Sequence, residues 1–257
     1  MQEQTTFNTA SVTIFKTLVV LVFAGLFFSG CEKICDCAKS TGTIISESRS
    51  TALFNQIELY NNIDLVIHID STPRIKVTAG KNLISEITTE SNDGILRIKN
   101  TNNCNWTRDF NTTMIVEVWT PSLNYLMAKD GSGDIYFEDS LDCTPRFTFD
   151  GFSGTGQYHF KLKGNEAHLN INNGPADLSA KGTITNLYLY GAGYGQLDCV
   201  NLQSKFVFVT NRGTNSCIVD ATQLIDATIY GIGNIYYKGS PTSISKNEFG
   251  TGKLISL

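Results

Sequence analysis

The chain reads Leu126-Met-Ala-Lys-Asp-Gly-Ser-Gly-Asp-Ile-Tyr-Phe137 and, later, Ala227-Thr-Ile-Tyr-Gly-Ile-Gly-Asn-Ile-Tyr-Tyr237. Both stretches alternate apolar and polar residues, pass through a turn rich in Gly, Asn and Asp, and then alternate again. Four weaker copies lie between them, at Phe147-Thr-Phe149, Leu169-Asn-Ile171, Leu187-Tyr-Leu189 and Phe206-Val-Phe-Val209. Self-similarity at a fixed short period indicates a repeat architecture.

Alignment of the six copies gives columns of equivalent positions. The last inward position of the first strand is Ala128, Phe149, Ile171, Leu189, Val209 and Ile229, in steps of 21, 22, 18, 20 and 20 residues. A corner column follows, with residues that tolerate positive φ: Asp130, Gly151, Asn173, Gly191, Asn211 and Gly231. The second strand contributes the inward columns Ile135, Tyr158, Leu178, Leu197, Cys217, Ile235 and Phe137, Phe160, Ala180, Cys199, Val219, Tyr237.

A period of about 20 residues has few structural solutions. At ~3.3 Å per residue it makes one coil of short strands, and coils stack ~4.8 Å apart. Stacking supplies the backbone hydrogen bonds and the core that one coil lacks. The Leu/Asn pattern of leucine-rich repeats is absent, and propeller blades need about twice the length. The sequence therefore predicts an all-β fold, a single-chain parallel β-helix, right-handed by the usual hand of crossover connections.

The N-terminal half predicts a less regular β part. Residues 57–67 resemble another coil, with Asn61 and Asn62 at its corner. Residues 86–98 predict a hairpin that turns on Asn92-Asp93-Gly94. We expect this part to cover the N-terminal end of the solenoid, because an open strand edge would pair with other chains.

Composition narrows the functional class. The chain has 257 residues, a net charge of -4 and 17% charged residues, so it lacks the basic surface that nucleic-acid binding requires. We expect no nucleic-acid partner. Abundant Gly, Tyr and Phe, with only 5 Pro, agree with a secreted all-β domain.

The N-terminus predicts export. Lys16 precedes an apolar run, residues 17–28, which at about 12 residues is too short to span ~30 Å of hydrocarbon but typical of a signal peptide. Ser29-Gly30-Cys31 resembles a bacterial lipobox, which implies lipidation of Cys31, although Phe28 stands where Leu is usual. A plain signal peptide with an unmodified Cys31 is the alternative. We predict a lipoprotein signal peptide at 1–30, a flexible tether at 31–52 and the solenoid domain at 53–257.

The solenoid then resembles a known family. Gly131-Ser-Gly-Asp-Ile135, Gly231-Ile-Gly-Asn-Ile235, Phe54-Asn-Gln-Ile-Glu-Leu59 and Leu96-Arg-Ile98 are similar to phrases of the head GIN domain family, named as auto-transporter adhesins and frequent in envelope lipoproteins. The resemblance implies a single-chain β-helix in the envelope of a Gram-negative bacterium, anchored to the outer membrane and either periplasmic or surface-exposed. It carries over no catalytic residues.

Outward positions supply the site candidates. Tyr188, Tyr190, Tyr230 and Tyr236 are predicted to face solvent, as a platform for sugar rings or a protein partner, or simply as ladders that stabilise the solenoid. Phe206 and Phe208 could face either the solvent or the core. An outward column Tyr136, His159, Ser179, Asp198, Ile218, Tyr236 runs beside Glu138, Lys161, Lys181, Val200, Asp220, Lys238.

Catalysis and metal binding find little support in the sequence. His68, His159 and His168 are too scattered for a ligand set, and Cys35 and Cys37 have no partners at zinc spacing. Cys199 and Cys217 are predicted to be free core thiols, because they fall in different columns. The pairing of Cys35, Cys37, Cys104 and Cys143 stays open. We expect no metal, no cofactor and a non-enzymatic module that binds a glycan or envelope protein. A polysaccharide lyase or hydrolase on the same β-helix is the alternative.

Overall fold

The computed structural model describes residues 40–102 and 113–257. The predicted signal peptide, Cys31, Cys35, Cys37 and Cys104 lie outside these residues. The described chain forms eighteen β-strands and one short 3-10 turn, Ile84–Glu86. The strands are β1 (Ile44–Arg49), β2 (Gln56–Tyr60), β3 (Asp64–Ile69), β4 (Arg74–Gly80), β5 (Ile87–Asn92), β6 (Ile95–Asn100), β7 (Met114–Thr120), β8 (Tyr125–Lys129), β9 (Ile135–Phe137), β10 (Leu141–Asp142), β11 (Phe147–Phe152), β12 (Gln157–Ile171), β13 (Asp177–Gly191), β14 (Leu197–Asn211), β15 (Cys217–Ile229), β16 (Ile235–Lys238), β17 (Ser243–Glu248) and β18 (Leu254–Ser256).

Two parallel ladders run through the solenoid. The first ladder stacks strands in the order β6, β2, β8, β11, β12, β13, β14, β15 and β17. The second stacks them in the order β7, β3, β9, β12, β13, β14, β15, β16 and β18. β12 to β15 belong to both ladders because each continues through a corner. The predicted β-solenoid is confirmed; its right-handedness stays a prediction.

The core fills the space between the ladders. Its side chains come from alternate positions of every coil, as the two-residue period of a strand requires. Phe137, Phe149 and Phe160 are buried there, and the Phe160 ring contacts Phe137 edge-on at 4.9 Å and Phe149 in a tilted arrangement at 5.0 Å between centroids. Burial of one such ring contributes about 1.5–3 kcal/mol. The first inward column predicted for the second strand is confirmed from Ile135 through Ile235. The second is confirmed in the pairs Phe160 with Ala180, Cys199 with Val219 and Val219 with Tyr237.

The column predicted for the first strand is wrong by two residues in three of its six members. Ala128 pairs with Gly151, whereas Phe149 pairs with Leu126 and Leu169. All six predicted residues are nevertheless buried in the one core. A slip of two residues keeps every side chain on the same face, so periodicity alone cannot detect it.

The corner column needs a second correction. Of its six predicted residues only Asp130 has a positive φ, of 59°. Gly151 is a glycine because a Cβ there would meet Ile171 Cδ1 at 3.0 Å inside the core. Asn211 points inward, where its Nδ2 donates to the carbonyl oxygen of Asn215 at 2.9 Å. At Gly151 and Asn211, space and inward hydrogen bonding rather than a positive φ account for the residue type.

The N-terminal half closes the end of the solenoid, as predicted. The predicted hairpin forms: β5 pairs antiparallel with β6 and turns on Asp93 and Gly94, with φ of 51° and 77°. β4 pairs antiparallel with β7, the outermost strand of the second ladder. These antiparallel strands cover the edge that the parallel coils would leave open.

The coils do not stack in chain order. β2 and β3 lie between β6–β7 on one side and β8–β9 on the other. The earliest coil is thus enclosed by two later ones.

The predicted tether at 31–52 needs correction over part of its length. Within it, β1 pairs antiparallel with β4, and the pairs run from Ile44 with Gly80 to Arg49 with Ile75. Ile45 packs against the core, while most of the strand is exposed. An edge strand with a polar outer face has little hydrophobic periodicity, so its sequence resembles a linker.

Candidate ligand-binding surfaces

The outward positions of the second ladder build one surface. Tyr136, His159, Ser179 and Asp198 follow one another in register on β9, β12, β13 and β14, as predicted. The neighbouring column begins with Glu138, Lys161 and Lys181, but Asn201 rather than Val200 pairs with Lys181. The change arises from a β-bulge, because β14 has one more residue than β13 between the pairs Ser179–Asp198 and Lys181–Asn201.

These columns enclose a cleft of about 330 Å³. Tyr136 stacks on His159, with ring centroids 5.0 Å apart and 20° between the planes. Nδ1 of His159 lies 2.7 Å from Oγ of Ser179. The Tyr136 hydroxyl donates to Asp134 Oδ2 at 2.9 Å. Desolvation and, to a smaller extent, this hydrogen bond raise the pKa of Tyr136. The cleft thus joins a fixed aromatic wall to charged and hydroxyl side chains.

A stack of two aromatic rings and a guanidinium group lies further along the same ladder. The rings of His68 and Trp119 stack nearly parallel, with 6° between their planes and 4.6 Å between their centroids. The Arg74 guanidinium lies over Trp119, 4.4 Å from its centroid. Nε2 of His68 is buried without a hydrogen-bond partner in the part of the chain that the structure describes, and the Glu117 carboxylate lies 3.9 Å from it. Sequence reasoning missed this stack, because β3, β4 and β7 come together only through the interleaved coils.

The first ladder carries a second aromatic surface. His168, Tyr188 and Phe208 stack on consecutive coils at 4.4 and 4.7 Å between centroids. Tyr190 lies two residues further along β13, and both tyrosines border a depression of about 340 Å³. Phe206 and Phe208 face outward, since Val207 and Val209 are the buried residues of that run.

The other two predicted tyrosines lie elsewhere. Tyr230 follows β15 at a corner, 45% exposed, between the Arg212 guanidinium at 4.1 Å and the ring of Phe249 at 5.1 Å. Tyr236 is on β16 in the second ladder, where its hydroxyl accepts from Asn234 Nδ2 at 3.0 Å. The four tyrosines therefore belong to three different places on the solenoid rather than to one strip.

The buried cysteines are structural. Cys143, Cys199 and Cys217 are free and buried, as predicted for the last two. Cys217 pairs with Leu197 and Cys199 with Val219, so the two thiols sit on a diagonal. Burial raises the pKa of the Cys217 thiol to about 12 and also raises that of Cys199.

Two further properties concern residues 40–102 and 113–257 alone. They contain no group of three or more His, Cys, Asp or Glu side chains arranged to hold a metal ion. They also contain no helix of sufficient length and apolarity to cross a bilayer.

Comparison with known proteins gives a consistent family. The sequence model of the family described as "Putative auto-transporter adhesin, head GIN domain" matches residues 53–241. No protein with a curated description matches the sequence.

Solved structures share the fold. A "putative adhesin" from Bacteroides fragilis NCTC 9343 is similar with a TM-score of 0.73 and 23% identity, over 84% of this chain and 97% of that one. A "putative adhesin" from Parabacteroides merdae ATCC 43184 has a TM-score of 0.56 and 21% identity, over 84% and 97% of the two chains. A "putative lipid binding protein" from Parabacteroides distasonis ATCC 8503 has a TM-score of 0.59 and 20% identity, again over 84% and 97%.

Proposed function

The chain belongs to the head GIN domain family, and from this membership we propose that it is a non-enzymatic binding module of the bacterial envelope. In this proposal a β-solenoid, lipid-anchored through Cys31 to the outer membrane, holds rows of side chains toward a glycan or an envelope protein. The family name and the adhesin-like fold support the general role. The anchor rests on the lipobox-like Ser29-Gly30-Cys31 of the sequence.

One observation carries the binding role: outward planar side chains stack from coil to coil at fixed spacing. His168, Tyr188 and Phe208 form one such row, and Tyr136 with His159 forms another. Rings held by their neighbours lose little conformational entropy when a ligand covers them. Aromatic faces also offer large contact area to sugar rings and to protein side chains. A rigid scaffold with preset rings is therefore suited to capture rather than to chemistry.

Binding is testable with the purified full chain on a glycan array and on envelope proteins cross-linked in cells. We expect reproducible capture of one ligand class, weakened by Tyr188→Ala together with Tyr190→Ala or by Tyr136→Ala together with His159→Ala. Tyr194→Ala, at an exposed corner outside these rows, is the matched control. Absence of any captured ligand in both assays would refute the binding role.

The anchor has its own test. We expect Cys31→Ser to move the protein from the membrane fraction to the soluble envelope fraction, and to abolish labelling by a clickable fatty acid. Unchanged fractionation of Cys31→Ser would show that a plain signal peptide, or another tether, operates instead.

The enzymatic alternative also has a specific observation. Nδ1 of His159 lies 2.7 Å from the Ser179 hydroxyl, with Asp198 on the next coil, and a base in contact with a hydroxyl is a common catalytic arrangement. If this cleft were a lyase or hydrolase site, incubation with acidic and neutral polysaccharides would release unsaturated or reducing ends, and His159→Ala would stop it. We expect no release.

A further inference from the structure

We propose that the cleft between Tyr136 and Asn201 binds a carboxylated sugar unit of an acidic glycan. This inference deepens the proposed binding function, on which it rests, by naming the site and the ligand class. The cleft spans four consecutive coils of the second ladder, and two outward positions of each coil line it. At about 330 Å³ it is near the lower end of the ligand-pocket range, ~300–1,000 Å³, which fits one ring of a longer chain.

The wall of the cleft is built in advance. Tyr136 is fixed at both ends, because its hydroxyl donates to Asp134 and its ring stacks on His159. His159 is fixed in turn by the Ser179 hydroxyl, and Ser179 also donates to the carbonyl oxygen of Tyr158 at 3.4 Å. The outer ring face is therefore presented without reorganisation, which is the condition for stacking a sugar ring at low entropic cost.

The two lysines of the cleft, Lys161 and Lys181, differ in whether an acidic group neutralises their charge. Lys161 and Lys181 are direct neighbours on β12 and β13. Lys161 donates to the Glu138 carbonyl oxygen at 2.6 Å and lies 3.8 Å from its carboxylate. Lys181 has no ion pair within the described ranges 40–102 and 113–257. Two ammonium groups on adjacent strands repel each other, so an anion placed between them is stabilised by both.

The acidic groups decide what kind of anion fits. Glu138 and Asp198 border the same cleft. Among the residues that the structure describes, the Asp198 carboxylate accepts one hydrogen bond, from Val200 N at 3.1 Å. A doubly charged phosphate would be repelled by both carboxylates. A sugar carboxylate carries one charge for the lysines, and its ring hydroxyls can donate to the free lone pairs of Asp198. The mixture of charges therefore favours a uronate-like unit.

The backbone supports this assignment independently. The bulge of β14 lies opposite Ala180, a buried residue of β13 that borders the cleft. The extra residue brings Asn201, an amide with both donors and an acceptor, to the rim beside Lys181. Bulges commonly re-aim side chains next to binding sites. A regular solenoid would have placed Val200 at this position.

The test uses the purified full chain with oligogalacturonate and oligoglucuronate as probes, beside the same oligomers with their carboxylates reduced to alcohols. We expect calorimetric binding of at least one acidic oligomer, clearly stronger than of its reduced form and weaker at high salt. Lys181→Met should weaken acidic binding about fivefold and remove the preference for the acid. Lys161→Met together with Lys181→Met should abolish it, while Lys205→Met, an exposed lysine of β14 outside the cleft, should leave it unchanged. Thermal melts should show that all variants fold.

The inference fails if neither acidic oligomer binds, if acidic and reduced oligomers bind equally, or if Lys181→Met behaves like Lys205→Met. Such a failure is separate from failure of the binding function. Capture of another glycan or of a protein, lost in Tyr188→Ala with Tyr190→Ala, would overturn the cleft assignment and leave the binding module standing. Absence of all capture on arrays and in cross-linking would remove both.

Discussion

The Asp64 carboxylate accepts a hydrogen bond of 2.9 Å from the backbone N–H of Asp134, 70 residues later in the chain. Asp134 repeats the contact one coil on, accepting from Gln157 N at 2.8 Å, and Asp177 does the same for Gln196 N at 2.7 Å. These side chains satisfy backbone donors at the corner, where the strand ladder is interrupted. The carboxylates of Asp64, Asp134 and Asp177 thus join neighbouring coils.

Asp64 gives a test of this device with a defined pH dependence. Burial raises the pKa of Asp64 above its ordinary value of 3.8, so the unfolded chain releases this proton more readily than the native one. The contribution of Asp64 to stability is therefore largest at low pH and falls as the pH rises through its raised pKa. We expect Asp64→Asn, which keeps an acceptor for Asp134 N, to gain stability relative to wild type as the pH rises above 3.8, the ordinary pKa of the aspartate carboxyl.

Asp64→Ala is the matched comparison, because it leaves the Asp134 N–H without this acceptor. It should cost about 1–2 kcal/mol in urea denaturation. If Asp64→Asn lost as much stability as Asp64→Ala at neutral pH, the carboxylate charge rather than the acceptor would be the stabilising feature.

We expect the stability effects of substituting Tyr158 and Ser132, a buried pair of hydroxyl groups, to be coupled. Their oxygens are 2.8 Å apart and both residues are buried, a setting that raises the pKa of Tyr158 through desolvation. Tyr158→Phe and Ser132→Ala should each cost about 1–2 kcal/mol, since each leaves one buried hydroxyl unpaired. The double variant should cost less than the sum by about 1 kcal/mol. Tyr60→Phe should change stability little, because the Tyr60 hydroxyl donates to half-buried Glu58. Strict additivity at Tyr158 and Ser132 would contradict the pairing.

Coil spacing predicts which glycines resist substitution. A Cβ on Gly195 would overlap the carbonyl oxygen of Ala176 on the preceding coil, whereas a Cβ on Gly131 would meet nothing within 4 Å. Gly195→Ala should destabilise the solenoid on the order of 3 kcal/mol, because the coils must separate. Gly131→Ala should cost only the ~1–2 kcal/mol of a positive φ, here 75°. Equal melting temperatures of the two variants would contradict the close stacking at Gly195.

We expect the buried thiols to react slowly with alkylating reagents. Because burial raises the pKa of Cys143 and of Cys217 to about 12, little thiolate exists at pH 8. Peptide mapping after iodoacetamide treatment should find Cys143, Cys199 and Cys217 unmodified in the native protein and fully modified in urea. Rapid native labelling of Cys217 would show that the coil opens locally.

Much of the solenoid could be predicted from the chain. Alternation placed Tyr158, Leu178 and Leu197 in one inward column, and the structure has them so. The outward column from Tyr136 to Tyr236 was also predicted, whereas in the neighbouring column Asn201 takes the place predicted for Val200. The sequence-based predictions were wrong where one pattern fits two structures. The predicted register of the first strand is shifted by two residues, and the polar edge strand β1 was predicted to be a linker.

By itself the sequence determined which residues face the core and which face water, because a two-residue period and a repeat of about twenty residues are local properties of the chain. Only the tertiary structure decided which coils touch. The placing of β2 and β3 between two later coils, the stack of His68 on Trp119 and the bulge that shapes the cleft all join residues far apart in the chain. Such contacts arise from competition among many equally apolar pairings, which is settled by packing of the whole solenoid rather than by any local pattern.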